Sequence, residues 1–111
     1  MKRLGLKVGL TFGLIAATSL ATPAFAEKGN AQAAQDKKSM CVGCHGIPGY
    51  KASFPTVYSV PKIAGQSEGY LIAALQAYKK GDRKHPTMRG IAETLTDQDM
   101  ADLAAYYATA K

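Results

Sequence analysis

The clearest hydrophobic rhythm in the chain runs through Tyr70, Leu71, Ala74, Leu75 and Tyr78, the spacing of one helix face. Ser67 just before it is a good N-cap, and Glu68 suits the positive end of a helix dipole. Lys79 and Lys80 suit the other end, and Gly81 stands where a left-handed C′ residue ends a helix. Met100, Leu103, Ala104 and Tyr107 repeat the pattern, with Tyr106 beside the stripe. Thr96 is the expected cap of this last helix, Asp97 and Asp99 fall in its first turn, and Lys111 closes it. A further helix is expected from about Ala31 into residues 41–45, where Ala and Gln dominate without proline. There Ala33 and Ala34 are small enough to let another helix approach closely.

Elsewhere the rhythm fails. Gly46, Pro48 and Gly49 end regular structure. Residues 47–66 show no period and are stiffened by Pro55 and Pro61; a loop this long in a compact domain usually has a functional reason. Its aromatics Tyr50, Phe54 and Tyr58 suit covering an apolar surface. Gly81 to Pro86 reads as a polar, basic connection, with Met88 in the loop beyond it and a short helical turn through Ile91 to Thr94. No strand pattern and no internal repeat stands out, so the expected fold is all-α.

The start of the chain reads differently. Lys2, Arg3 and Lys7 form a basic stretch, Val8 to Ala21 is apolar, and Ala24-Phe25-Ala26 is a small-x-small cleavage signal. Residues 1–26 are therefore expected to be a cleaved secretory leader, and 27–111 a single mature domain. The apolar run is shorter than the roughly 20 residues a membrane helix needs. The leader also changes the charge. The chain carries +6, but three of those charges are Lys2, Arg3 and Lys7, leaving +3. That balance gives no case for nucleic-acid binding. Export implies the periplasm, an oxidising compartment.

The candidate chemistry is concentrated in Cys41-Val42-Gly43-Cys44-His45. Two thiols three residues apart followed by an imidazole match covalent haem c attachment. Cys41 and Cys44 would form thioethers with the haem vinyl groups, and His45 would take one axial position on the iron. One helical turn sets both sulfurs along one edge and leaves the next side chain facing the metal. Other uses of paired cysteines fit worse. No βαβ pattern suggests a redox dithiol. His85 alone cannot complete a zinc site. A disulfide across two residues is strained and reducible.

For the second axial position the candidates are Met40, Met88, Met100 and His85. Met40 adjoins Cys41 and has the wrong geometry, and Met100 belongs to the core stripe. Met88 lies far enough beyond His45 for the chain to wrap the porphyrin. A thioether suits both iron oxidation states. His85, or a site with no second protein ligand, stays open beside it.

With these residues in hand, the chain resembles the class I c-type cytochromes, small bacterial ones and single lobes of the bacterial dihaem members in particular. Cys41 to Gly46, Pro61 to Gln66, Tyr70-Leu71, Met88 to Ala92 and Leu95 to Ala108 carry the resemblance, in order along nearly all of the mature chain. It implies about four to five helices around one covalent haem, with the first and last helices crossing. Ala33 would meet Tyr106 or Tyr107 at that crossing. Met88 stands at the family's Met-ligand position, and Pro61 at the proline whose carbonyl accepts from the proximal His. There is one attachment motif, so the chain departs from the dihaem members.

The function expected is an exported, soluble, monomeric electron carrier, not an enzyme, cycling iron between Fe(III) and Fe(II). No nucleophilic serine, carboxylate pair or phosphate loop suggests other chemistry. Two alternatives are a haem subunit of a larger oxidoreductase complex, and a five-coordinate haem enzyme or sensor should Met88 not bind iron. Lys79, Lys80, Arg83, Lys84 and Arg89 could ring the haem edge and steer acidic redox partners, or form an ordinary solvated face.

A mature chain of this length builds only a modest core without its cofactor. Haem-free protein is accordingly expected to lack native-like near-UV circular dichroism. A strong near-UV signal from the apo chain would contradict this coupling.

Overall fold

The computed structural model describes residues 28–53 and 56–111. The leader, Glu27, Phe54 and Pro55 lie outside the described residues. The elements are a 3-10 turn at Ala33–Asp36, then α1 (Ser39–His45), β1 (Lys51–Ala52), β2 (Tyr58–Ser59), α2 (Glu68–Lys80), α3 (Pro86–Glu93) and α4 (Asp97–Thr109). The fold is all-α in its framework, with α2 packed against both α3 and α4.

Helix α4 begins at the cap its sequence announces. Thr96 Oγ1 accepts from the Asp99 N–H at 3.1 Å, and Asp99 Oδ2 accepts from the Thr96 N–H at 2.9 Å. This reciprocal box satisfies two donors that a helix start leaves orphaned. Asp99 also forms an ion pair with Lys37, which ties the N-terminal segment to the start of α4. The Lys37 ammonium holds the Asp99 carboxyl below its usual range. Along α4 every residue from Met100 to Ala105 is buried, as is Tyr107. Its inner stripe joins Ala34, Leu71 and Leu95 in the core.

The segment around Gly29 crosses α4 at close range. A Cβ on Gly29 would lie 2.1 Å from the Ala101 carbonyl oxygen, so only glycine fits there. Asp102, buried at 4% exposure, accepts from the Asn30 N–H at 2.8 Å and from Gln98 Nε2 at 2.9 Å. The small residue at the crossing is Ala34, fully buried in the cluster with Tyr107; the expected Ala33 is exposed. One residue of phase separates the two, and periodicity over so short a segment does not fix it.

Helix α2 matches expectation at both ends. Ser67 Oγ accepts from the Tyr70 N–H at 3.3 Å, and Gly81 ends the helix at φ 86°.

Three further expectations need correction. The helix foreseen from Ala31 is broken: the 3-10 turn ends at Asp36, and α1 starts only at Ser39. The Ala34 carbonyl accepts from both Lys37 and Lys38 N–H groups there, tightening the turn while the Lys37 side chain reaches Asp99. Second, a strand pair exists. β1 and β2 are antiparallel, pairing Lys51 with Ser59 and Ala52 with Tyr58. The Val60 N–H also donates to the Tyr50 carbonyl at 2.9 Å. Two residues per strand are too few for an alternating pattern, and the pairing answers the backbone's need for partners in a long loop. Third, Met88 is not in a loop. It is the third residue of α3, whose first residue Pro86 is preset for a helix start.

Removing the α4 cap with Thr96→Ala should lower stability by about 1 kcal/mol. A guanidinium titration of the haem-loaded protein reads this as a lower midpoint at unchanged slope.

Candidate haem site

Helix α1 is short and buries none of its residues against the protein. Instead Met40, Cys41, Cys44 and His45 line a cavity of about 280 Å³. Cys41 and Cys44 sit three residues apart, on one face of the helix, and are not joined in a disulfide. Cys41 packs against the core from its edge, and burial pushes its thiol up from the ordinary value. Gly46 ends the helix with its N–H on the Val42 carbonyl at 3.0 Å. A Cβ there would meet Val42 Cγ2 at 2.5 Å and the Val42 carbonyl oxygen at 2.7 Å. The residue after His45 must therefore be small for the chain to leave α1 on this path.

His45 is oriented from outside its own helix. Its Nδ1 lies 2.6 Å from the Pro61 carbonyl oxygen. A carbonyl can only accept, so the proton is on Nδ1 and the Nε2 lone pair is left to bind elsewhere. Pro61 stands just after β2, in the segment leading to α2.

The other walls come from the two long helices and α3. All five residues of the α2 stripe, Tyr70, Leu71, Ala74, Leu75 and Tyr78, face the cavity. Leu103, Ala104 and Tyr107 of α4 close the back. The Tyr107 hydroxyl is buried, with no hydrogen-bond partner of standard geometry among the described residues. Burial, with Cys41 beside it, drives that hydroxyl well above the usual phenol range. Met88 and Ile91 of α3 contribute the remaining side, together with Tyr58 from β2. Of the loop aromatics, Tyr58 lines the cavity and Tyr50 does not; Phe54 lies outside the described residues.

The structure thus brings Cys41, Cys44, His45, Pro61 and Met88 to one apolar cavity, which His85 and Met40 also line. It also assigns His85, a candidate ligand in the sequence, a definite task. His85 is the N-cap of α3, and its Nδ1 accepts from the Met88 N–H at 3.3 Å. Sequence reasoning missed this role, although a polar residue directly before Pro86 is the pattern of a cap followed by proline at N1. Among the described residues, no three His, Cys, Asp or Glu side chains converge in a cluster that could hold a metal ion.

The basic cluster is less uniform than its sequence suggests. Lys79 donates to the Leu95 carbonyl, and Arg89 pairs with Glu93 at 2.8 Å. Arg83 lies 4.6 Å over the Tyr78 ring.

The family model described as Cytochrome c matches residues 26–111. The chain belongs to the cytochrome c family. It is 40% identical over 111 residues to cytochrome c4 of Pseudomonas aeruginosa, covering all of this chain and 50% of that protein. It is 40% identical over 84 residues to cytochrome c-554(548) of Halomonas halodenitrificans, covering 73% of this chain and 96% of the other. The crystal structure of reduced recombinant cytochrome c4 from Pseudomonas stutzeri matches with a TM-score of 0.60 at 39% identity, over 75% of this chain and 46% of that one. The chain spans about half the length of the cytochrome c4 relatives it matches. The cofactor of this family is a covalently bound haem c, and the cavity fits it. Two unpaired thiols stand on one helix face, an imidazole presents its Nε2 lone pair, and the lining is apolar.

Gly46→Ala should destabilise the folded protein by roughly 1–3 kcal/mol through overpacking. Because one of the two clashes is with backbone, adding Val42→Ala should recover only part of the loss. Thermal unfolding of the single and double variants checks both statements.

Proposed function

We propose that the chain is a periplasmic one-electron carrier with His45 and Met88 as the axial ligands of its haem iron. The observation that carries this reading is the placement of an oriented imidazole and a thioether on the walls of one apolar cavity beside Cys41 and Cys44, while His85 on the same wall has its Nδ1 engaged by the Met88 N–H. When bound, haem c supplies the redox couple, Fe(III) to Fe(II). Cys41 and Cys44 tether the group through thioethers, so it stays with the chain as electrons pass. His45 gives its Nε2 lone pair, and the Pro61 carbonyl fixes the ring and raises its basicity. Met88 gives a neutral, polarisable sulfur that favours the reduced state and raises the potential. Leu71, Leu75, Leu103 and Tyr107 line the cavity with apolar surface and would keep water from a haem held there. Two ligands held through both oxidation states leave no position for a substrate, so the chain acts as a carrier rather than an enzyme.

The pattern of residues 1–26 supports export, with one domain over residues 27–111. No helix among the described residues is long and apolar enough to cross a membrane. Redox partners of acidic surface suit the basic α2–α3 connection, where Lys80 and Lys84 are exposed and Arg83 lies over Tyr78. Lys79 and Arg89 are engaged within the fold and contribute less to such a surface.

The ligand set is tested by absorption spectra of oxidised and reduced protein. Oxidised wild type should show the weak far-red band of an iron–thioether bond. Met88→Ala should lose that band, and its potential should fall by on the order of 0.1 V, within the ~0.8 V that axial ligands span. A wild-type spectrum without the band would point to a five-coordinate site or to His85 as the second ligand instead.

A further inference from the structure

We propose that His85 is a positioning residue for the distal ligand, setting through the first turn of α3 where Met88 stands. This rests on the reading of Met88 as the second axial ligand. Met88 occupies the third position of α3, so its N–H is among those a helix start leaves without an intrahelical partner. His85 Nδ1 accepts from that N–H at 3.3 Å. The His85 carbonyl accepts from the Arg89 N–H at 2.9 Å. One residue therefore holds the turn by both its side chain and its main chain.

The ring is in turn held by two other elements. Tyr58 of β2 meets it edge-on at 4.8 Å between centroids, and Tyr78 of α2 at 6.4 Å. Arg83 covers the Tyr78 ring at 4.6 Å and reaches the Tyr70 hydroxyl at 3.4 Å. Helix α3 itself buries only Ala92. With so little apolar anchorage, the start of α3 relies on its cap for position, and the cap relies on the hairpin and α2. Losing such a cap shifts a local equilibrium roughly fivefold.

The test uses full-length, haem-loaded, oxidised protein with imidazole as competitor for the Met88 side of the iron. Imidazole binds where Met88 has left, so its apparent affinity follows the fraction of molecules with Met88 off. His85→Ala and His85→Phe should bind imidazole roughly fivefold more tightly than wild type. His85→Asn restores an acceptor at the cap and should stay within about twofold of wild type. Thr96→Ala, which removes the cap of α4, should leave the affinity unchanged, separating positioning from a general loss of stability. Wild-type affinity in His85→Ala overturns the proposal. So does equal tightening in His85→Asn and His85→Ala, or tightening in Thr96→Ala. Met88→Ala keeps this proposal distinct from the reading beneath it. If it binds imidazole far more tightly than wild type while His85→Ala does not, the ligand assignment stands and the positioning role falls. If it binds no more tightly than wild type, the ligand assignment falls and takes the positioning role with it.

Discussion

The structure leans on one helix, α4, which packs against α2 and the 3-10 turn and buries every residue from Met100 to Ala105. On one side it accepts the N-terminal segment, with Gly29 against the Ala101 carbonyl and Asn30 on the Asp102 carboxylate. On another it forms the cavity wall through Leu103, Ala104 and Tyr107. Its two ends are tied as well. Asp99 holds Lys37 at the N-terminal end, and the Tyr107 carbonyl accepts from the Gly65 N–H at 2.8 Å near the other. A short chain that must surround a large apolar group has little side-chain volume left for a conventional core. Met100 is the largest fully buried side chain among the described residues, and it belongs to α4. The remaining helices spend their apolar faces on the cavity.

That division explains what could be seen in the sequence. The termini of α2 and α4 were legible because caps are local chemistry: Ser67, Gly81, Thr96 and Asp99 act on backbone groups within a turn. The attachment motif was legible because its five residues are contiguous. Pro61 and Met88 entered through resemblance and spacing, and the fold brings them to the same cavity from separate elements. What stayed hidden depends on partners distant in the chain. Nothing near Asp102 announces that it will accept from Asn30, and nothing near Gly29 announces the Ala101 carbonyl. The break before Ser39 likewise coincides with a distant contact, Lys37 on Asp99, and not with a poor helix former. The start of α3 is the exception, since His85 followed by Pro86 carried a local signal that the basic run around it obscured.

Cys41 and Cys44 show why a motif and its setting must be read together. In isolation the two thiols would suit several chemistries in an oxidising compartment. Here they stand on a helix with no buried residue of its own, beside an imidazole oriented by a distant carbonyl. The helix gains a packing partner only on its cavity side. Tether and fold are thus the same interaction seen from two directions.

The contact between Gly29 and Ala101 has a mechanical consequence. It is backbone against backbone, and protein interiors resist compression. Behind Leu103, Ala104 and Tyr107 there is accordingly no slack, because α4 is already braced from its far side. The opposite wall is built differently, from α3, which buries Ala92 alone, and from a hairpin of two-residue strands. The cavity therefore has one stiff wall and one compliant wall. A displacement of the lining therefore costs less on the Met88 side than at the rear of the cavity.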